Sequence, residues 1–138
     1  MKIINGKNLI LGRLASHVAK LAIQGEDVVV LNCEDVVVTG KRSVVLEKYQ
    51  SIVNKGSPTT GPKYHRGVDR IVRRTIRGMI PYKTEKGKEA FQRVSCFRGV
   101  PPDFEGKDAI TIEKINIHKT KNLQYVTIKD ISEVLGGK

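Results

Sequence analysis

Val28-Val29-Val30-Leu31-Asn32 is a β-branched apolar run with no polar alternation until its last residue. A strand buried on both faces has this composition, and it suits a parallel sheet held between helices. The segment before it, residues 11–24, reads as a helix. Leu11, Leu14, Ala15, Val18, Leu21 and Ala22 recur at intervals of three and four, while Arg13, Ser16, His17, Lys20 and Gln24 take the other side. Gly25 provides the stop. A helix feeding a doubly buried strand is the α/β signature, and the rest of the chain is read outward from it.

Upstream, Lys2-Ile3-Ile4-Asn5 forms a short first strand. Downstream, Val36-Val37-Val38-Thr39 is a second apolar run ended by Gly40, and Ser43 is placed to cap a helix carrying Val45, Leu46, Tyr49, Ile52 and Val53. Gly56-Ser57-Pro58-Thr59-Thr60-Gly61-Pro62 reads as a loop or arm. A helix is expected over 66–78, a short one over Thr84–Val94, and a strand over Val94–Phe97. Beyond Gly99-Val100-Pro101-Pro102 the isoleucines at 110, 112, 115 and 117 alternate like an edge strand or extended segment. Thr127 with Asp130 resembles a capping box, and Ile128, Ile131, Val134 and Leu135 give the last helix its apolar side. The expected organisation is an α/β domain over 1–102 and a C-terminal extension over 103–138 with a short terminal helix.

The 138 residues carry 25 Lys+Arg against 14 Asp+Glu, a net charge of +11. The excess is concentrated. Residues 55–98 hold twelve basic residues against Asp69, Glu85 and Glu89, a net of +9, and the remainder nets +2. An imbalance confined to one third of a chain calls for a polyanionic partner. No apolar run approaches the ~20 residues of a membrane span, and the first six residues are too short and too soon polar for a signal peptide. Cys33 and Cys96 are far apart and outside any CxxC pair, which points to reduced, buried thiols.

Within the basic third, Arg66, Arg70, Arg73, Arg74 and Arg77 recur at helical spacing, and Val68, Ile71, Val72, Ile76 and Met79 do the same. The two sets are offset by two residues, about 200° around a helix. One side packs on the core and the other presents guanidinium groups. A merely solvated face normally mixes signs at i±4; this one has a single acid, Asp69. Arginine also suits bidentate phosphate contacts. Lys63, Tyr64 and His65 precede this helix on the Gly/Pro loop. Two readings of that loop stand: it threads between RNA strands with Tyr64 or His65 stacking on a base, or it is a flexible loop with incidental charge. Lys83, Lys86, Lys88, Arg93 and Arg98 extend the basic surface.

Enzyme signatures are poor. There is neither a GxGxxG nor a P-loop, and none of the five Gly-Lys pairs has the upstream glycine that a P-loop needs. His17, His65 and His118 are scattered, with no cysteine cluster to complete a zinc site. No cofactor, metal or small-molecule substrate is expected.

Several stretches bear a resemblance to the universal large-subunit ribosomal protein thirteen family in its archaeal or eukaryotic form. They are Gly12-Arg13-Leu14-Ala15-Ser16, Val30 through Gly40, Arg77-Gly78-Met79-Ile80-Pro81, and Gly87-Lys88-Glu89-Ala90-Phe91-Gln92-Arg93 running to Phe97. The loop Gly61-Pro62-Lys63-Tyr64-His65-Arg66 also looks like the archaeal and eukaryotic version. Val94-Ser95-Cys96 departs from the family's more usual Leu-Lys-Val, at the loss of one basic contact. The resemblance implies a three-layer α/β/α domain around a mostly parallel four-stranded sheet. It also implies a non-enzymatic role in the cytoplasm, within the ribosome: binding of large-subunit ribosomal RNA early in subunit assembly, beside neighbouring ribosomal proteins. Family RNA contacts map onto Lys63 to Arg77 and Lys83 to Arg93. Two readings compete with it. One is a nucleotide-using α/β enzyme, against which the missing phosphate loops count. The other is a free-standing binder of messenger RNA, to which composition is neutral.

Overall fold

The computed structural model describes residues 1–137. Three strands form a parallel sheet in the order β1 (Lys2–Asn5), β2 (Val28–Leu31), β4 (Val94–Cys96). Lys2 is in register with Val28, and Val28 with Val94. The central β2 is buried along its whole length. Val28 and Val30 face the main core; Val29 and Leu31 face the other way, into a smaller cluster with Ile3. A central strand with both faces covered has no use for polar residues, and so the run from 28 to 31 contains none.

The helices account for the main core. α1 (Leu11–Ile23) connects β1 to β2 and buries Leu11, Leu14, Ala15, Val18, Ala19 and Ala22. α3 (Val68–Gly78) packs against α1 and β4 and buries Val68, Ile71, Val72 and Ile76. α4 (Glu85–Gln92) leads into β4, with the Thr84 hydroxyl accepting from the Gly87 N–H as its cap. On the opposite face the smaller cluster is closed by Phe97 and by Phe104 from a 3₁₀ turn at Pro102–Phe104, their ring centroids 5.6 Å apart.

The four-stranded sheet expected from the resemblance is represented by these three strands and a single parallel bridge between Ile4 and Ile110. The valine run at 36–39 does not join them. Asn32 takes a left-handed conformation (φ 52°), which asparagine tolerates, and a 3₁₀ turn at Cys33–Asp35 follows. The chain is diverted out of the sheet plane. β3 (Val37–Thr39) then pairs antiparallel with β5 (Tyr125–Thr127), and α5 (Ile128–Val134) follows β5 directly. Val126, Ile128, Ile131 and Leu135 thereby enter the main core.

Other local expectations need adjustment. α2 spans Arg42–Asn54 with Lys41 at its N-cap, so Ser43 lies inside the helix and caps nothing. The α5 cap forms as read, with Thr127 accepting from the Asp130 N–H at 3.2 Å, but Val134 is exposed rather than inward. The isoleucines at 112–117 form two 3₁₀ turns, Glu113–Ile115 and Ile117–Lys119, in place of a strand. Only Ile117 of this set is fully buried. Cys33 and Cys96 are free and buried. A hydrogen bond to the Cys96 thiol and burial push the Cys33 thiol far above its ordinary range.

At the carboxyl ends of the parallel strands, where open α/β sheets commonly hold ligands, the polar groups satisfy one another. The Asn32 side chain donates to Asn5 Oδ1 at 3.0 Å, and the Gly99 N–H donates to the Glu34 carboxylate at 2.9 Å.

Candidate nucleic-acid interface

The interface is built on α3. Its N-cap is Gly67, with Asp69 in the first turn and Arg77 in the last, each where the helix dipole favours its charge. The helix begins at Val68, so Arg66 lies in the preceding loop rather than on the helical stripe. Its carbonyl accepts a 2.6 Å hydrogen bond from the Ser132 hydroxyl of α5. A side chain on Gly137 would overlap the same carbonyl. The C-terminal helix thus pins the root of the basic loop.

Four arginines remain on the stripe, and they differ. Arg70 is exposed and lies 3.6 Å from Asp69. Arg73, Arg74 and Arg77 are half-buried, each laid over an aromatic ring. Arg73 is 4.5 Å from the Phe91 centroid, Arg74 is 4.4 Å from Tyr64, and Arg77 is 4.8 Å from Tyr82. The Arg73 Nε is buried with no hydrogen-bond partner, since the guanidinium lies over the ring of Phe91. The sequence reading of an open guanidinium face is therefore refined: one arginine is exposed beside Asp69 and three are seated on rings.

Arg70, Arg73, Arg74, Arg77, Lys63 and His65 converge with Pro62 and Phe91 around a hollow of about 290 Å³. Loop 62–65 forms one wall, α3 the floor, and α4 contributes Phe91. Six of the residues singled out by charge and spacing meet here. A larger hollow of about 560 Å³ shares Pro62 and Lys63 with it and is also lined by Lys55 and Arg66.

Tyr64 is not a freely presented base-stacking ring. It is half-buried, packs on the core, and carries Arg74 on one face. Burial pushes its phenol up, with Arg74 pulling the other way. His65 is exposed on the rim. Lys83, Lys86 and Lys88 are exposed on the turn and helix that supply Tyr82 and Phe91. Lys88 is three residues before Phe91, hence a helical neighbour of it.

Arg93 and Arg98 are not brought to the hollow. Arg93 is held between Glu89, at 3.8 Å, and the Ala22 carbonyl, at 3.5 Å, which ties α4 to α1. Arg98 lies beyond the far end of β4, roughly 16 Å from Arg93 at strand rise. Sequence reasoning singled out neither Tyr82 nor Phe91 as a partner of the arginines. A signal existed: four of the seven aromatics (Tyr64, Tyr82, Phe91 and Phe97) fall in the basic third.

The surface can bind polyanions. Guanidinium groups on rings keep their in-plane N–H donors, which match phosphate oxygens in pairs. No group of three or more potential metal ligands occurs among the described residues. Among the described residues no helix is long and apolar enough to cross a membrane.

Comparison with known proteins agrees with this chemistry. The chain is 39% identical over 138 residues to the large ribosomal subunit protein uL13 of Methanococcoides burtonii, covering 100% of the chain and 99% of that protein. It is 42% identical to the protein of the same name from Methanocaldococcus jannaschii, at 100% and 99% coverage. The Archaeoglobus fulgidus protein is 39% identical over 97% of the chain and 86% of its own length. A family model described as ribosomal protein L13 matches residues 1–103, which include every strand of the parallel sheet and the whole cationic face. The chain belongs to the ribosomal protein L13 family.

Proposed function

We propose that the chain is a structural constituent of the large ribosomal subunit that binds large-subunit ribosomal RNA through the Arg/Lys surface of α3 and its flanks. The observation that carries the reading is the convergence of Arg70, Arg73, Arg74, Arg77, Lys63 and His65 on one hollow, in a chain whose relatives are named as large-subunit proteins. The family is one of ribosomal structural proteins, and the chain is not an enzyme. Residues 1–102 supply the RNA-binding surface, and 103–138 form an extension that completes the core and anchors the basic loop at Arg66. Lys83, Lys86 and Lys88 carry the contact outward along the phosphate backbone. Arg93 serves mainly to hold α4, and Arg98 meets a separate stretch of RNA or a neighbouring ribosomal protein. Binding occurs in the cytoplasm, early in subunit assembly, because so concentrated a charge is best neutralised before other proteins dock.

Sedimentation tests this reading. In a lysate at low salt the protein should migrate with the large subunit and with its early precursors. Migration as a free protein under those conditions would exclude the proposal.

A further inference from the structure

We propose that Tyr64, Tyr82 and Phe91 are positioning residues of the RNA-contacting face, each holding one guanidinium of α3 by its flat side and leaving in-plane N–H donors for phosphate, which at Arg73 are those of the terminal nitrogens because its Nε is buried. The inference rests on the RNA-binding reading above and adds the device that makes the face effective.

Three arginines within five residues are each seated on a different ring at 4.4–4.8 Å, close enough for attraction to the ring's negative face. The rings come from three separate places: the loop before α3, the turn after it, and α4. The arrangement is therefore a property of the tertiary fold, not of helical spacing. The contrast with Arg93 shows what a ring provides. Arg93 is held by a carboxylate, which offsets its charge, and by a carbonyl, which takes one of its in-plane donors. A ring occupies the face of the guanidinium and leaves the charge whole, and it accepts no in-plane hydrogen bond, although at Arg73 the Nε is buried. Arginine loses much rotamer freedom when it is fixed on a ligand. Side chains already held on rings lose less at the moment of binding.

Arg77 and Tyr82 form the most testable pair, because Tyr82 is exposed and its loss opens no core cavity. Affinity for a large-subunit ribosomal RNA fragment is measured at several salt concentrations, with a thermal melt, for Tyr82→Leu, Tyr82→Phe, Arg77→Gln and the double variant Tyr82→Leu/Arg77→Gln. Tyr82→Leu should weaken binding about two- to five-fold, the range expected of one exposed cation–π contact. The salt dependence should stay unchanged, because no charge is lost. Tyr82→Phe should bind like the unaltered protein. In the Arg77→Gln background the loss of the ring should have no further effect.

An equal loss in both backgrounds means that the ring touches RNA itself, and it overturns the proposal while leaving the RNA reading intact. A lowered melting temperature with unaltered affinity assigns the ring to packing and also overturns it. If the unaltered protein shows no salt-dependent RNA binding, the proposal and the reading beneath it fail together.

Discussion

Gly87 and Gly12 both sit in helices, yet one substitution should move them in opposite directions. A methyl group on Gly87 would overlap the Pro81 carbonyl, because α4 crosses the preceding turn backbone to backbone. A methyl group on Gly12 meets nothing within 4 Å. Gly12→Ala should therefore raise stability by about 0.5–1 kcal/mol, the ordinary helical gain. Gly87→Ala should lower it by about 1–3 kcal/mol through overpacking. Thermal melts of the two variants check the signs. The glycine of the Gly-x-x-Ala-Phe element is thus required by close packing, and that packing places Phe91 under Arg73. The sequence shows the glycine but not what approaches it.

The two faces of α3 separate binding from stability at the scale of the element. Ile71 is fully buried, and Ile71→Ala should cost about 2–4 kcal/mol in a melt. RNA affinity at low temperature should persist wherever the variant is folded. Arg70→Glu should leave the melt nearly unchanged and weaken binding, because Arg70 is exposed and only its ion pair with Asp69 is lost. Arg73→Glu should also lower the melting temperature, since it sets a carboxylate against Phe91. On α2 the informative residue is Tyr49, whose buried phenol is pushed up to about 12. An unfolded chain releases that proton near pH ~10. The stability it contributes is fully present below about pH 10 and is lost as pH climbs toward about 12. Melts across that window should show a steeper decline for the unaltered protein than for Tyr49→Phe. Amphipathic periodicity made α1 and α3 legible, because each buries one clean stripe. The fate of the 36–39 run was not legible. Its valines suit any strand, and the diversion depends on the left-handed backbone at Asn32, which local composition does not reveal.

At the scale of the whole molecule, the uneven charge was the most readable feature, and without any motif it pointed to the third of the chain that carries the arginine-lined hollow. What it could not supply was depth. A charge count treats Arg93 and Arg74 alike, yet the fold fastens one to Glu89 and a carbonyl and seats the other on Tyr64 beside the hollow. The C-terminal segment was equally hidden. Its short alternating isoleucines suggested an appended edge, while the structure uses Val126, Ile128, Ile131 and Leu135 to complete the core and Ser132 to fasten the basic loop. The central claim is that phosphate contacts from the α3 face dominate RNA binding, and the most direct test is the salt dependence of affinity. For the unaltered protein the logarithm of the association constant for a large-subunit ribosomal RNA fragment should fall steeply and linearly with the logarithm of salt concentration. In Arg74→Gln/Arg77→Gln the slope should shrink by about 0.7–0.9 for each phosphate contact removed. A slope unchanged by the double substitution, in a variant whose melt shows it folded, would place the RNA-binding surface elsewhere on the molecule.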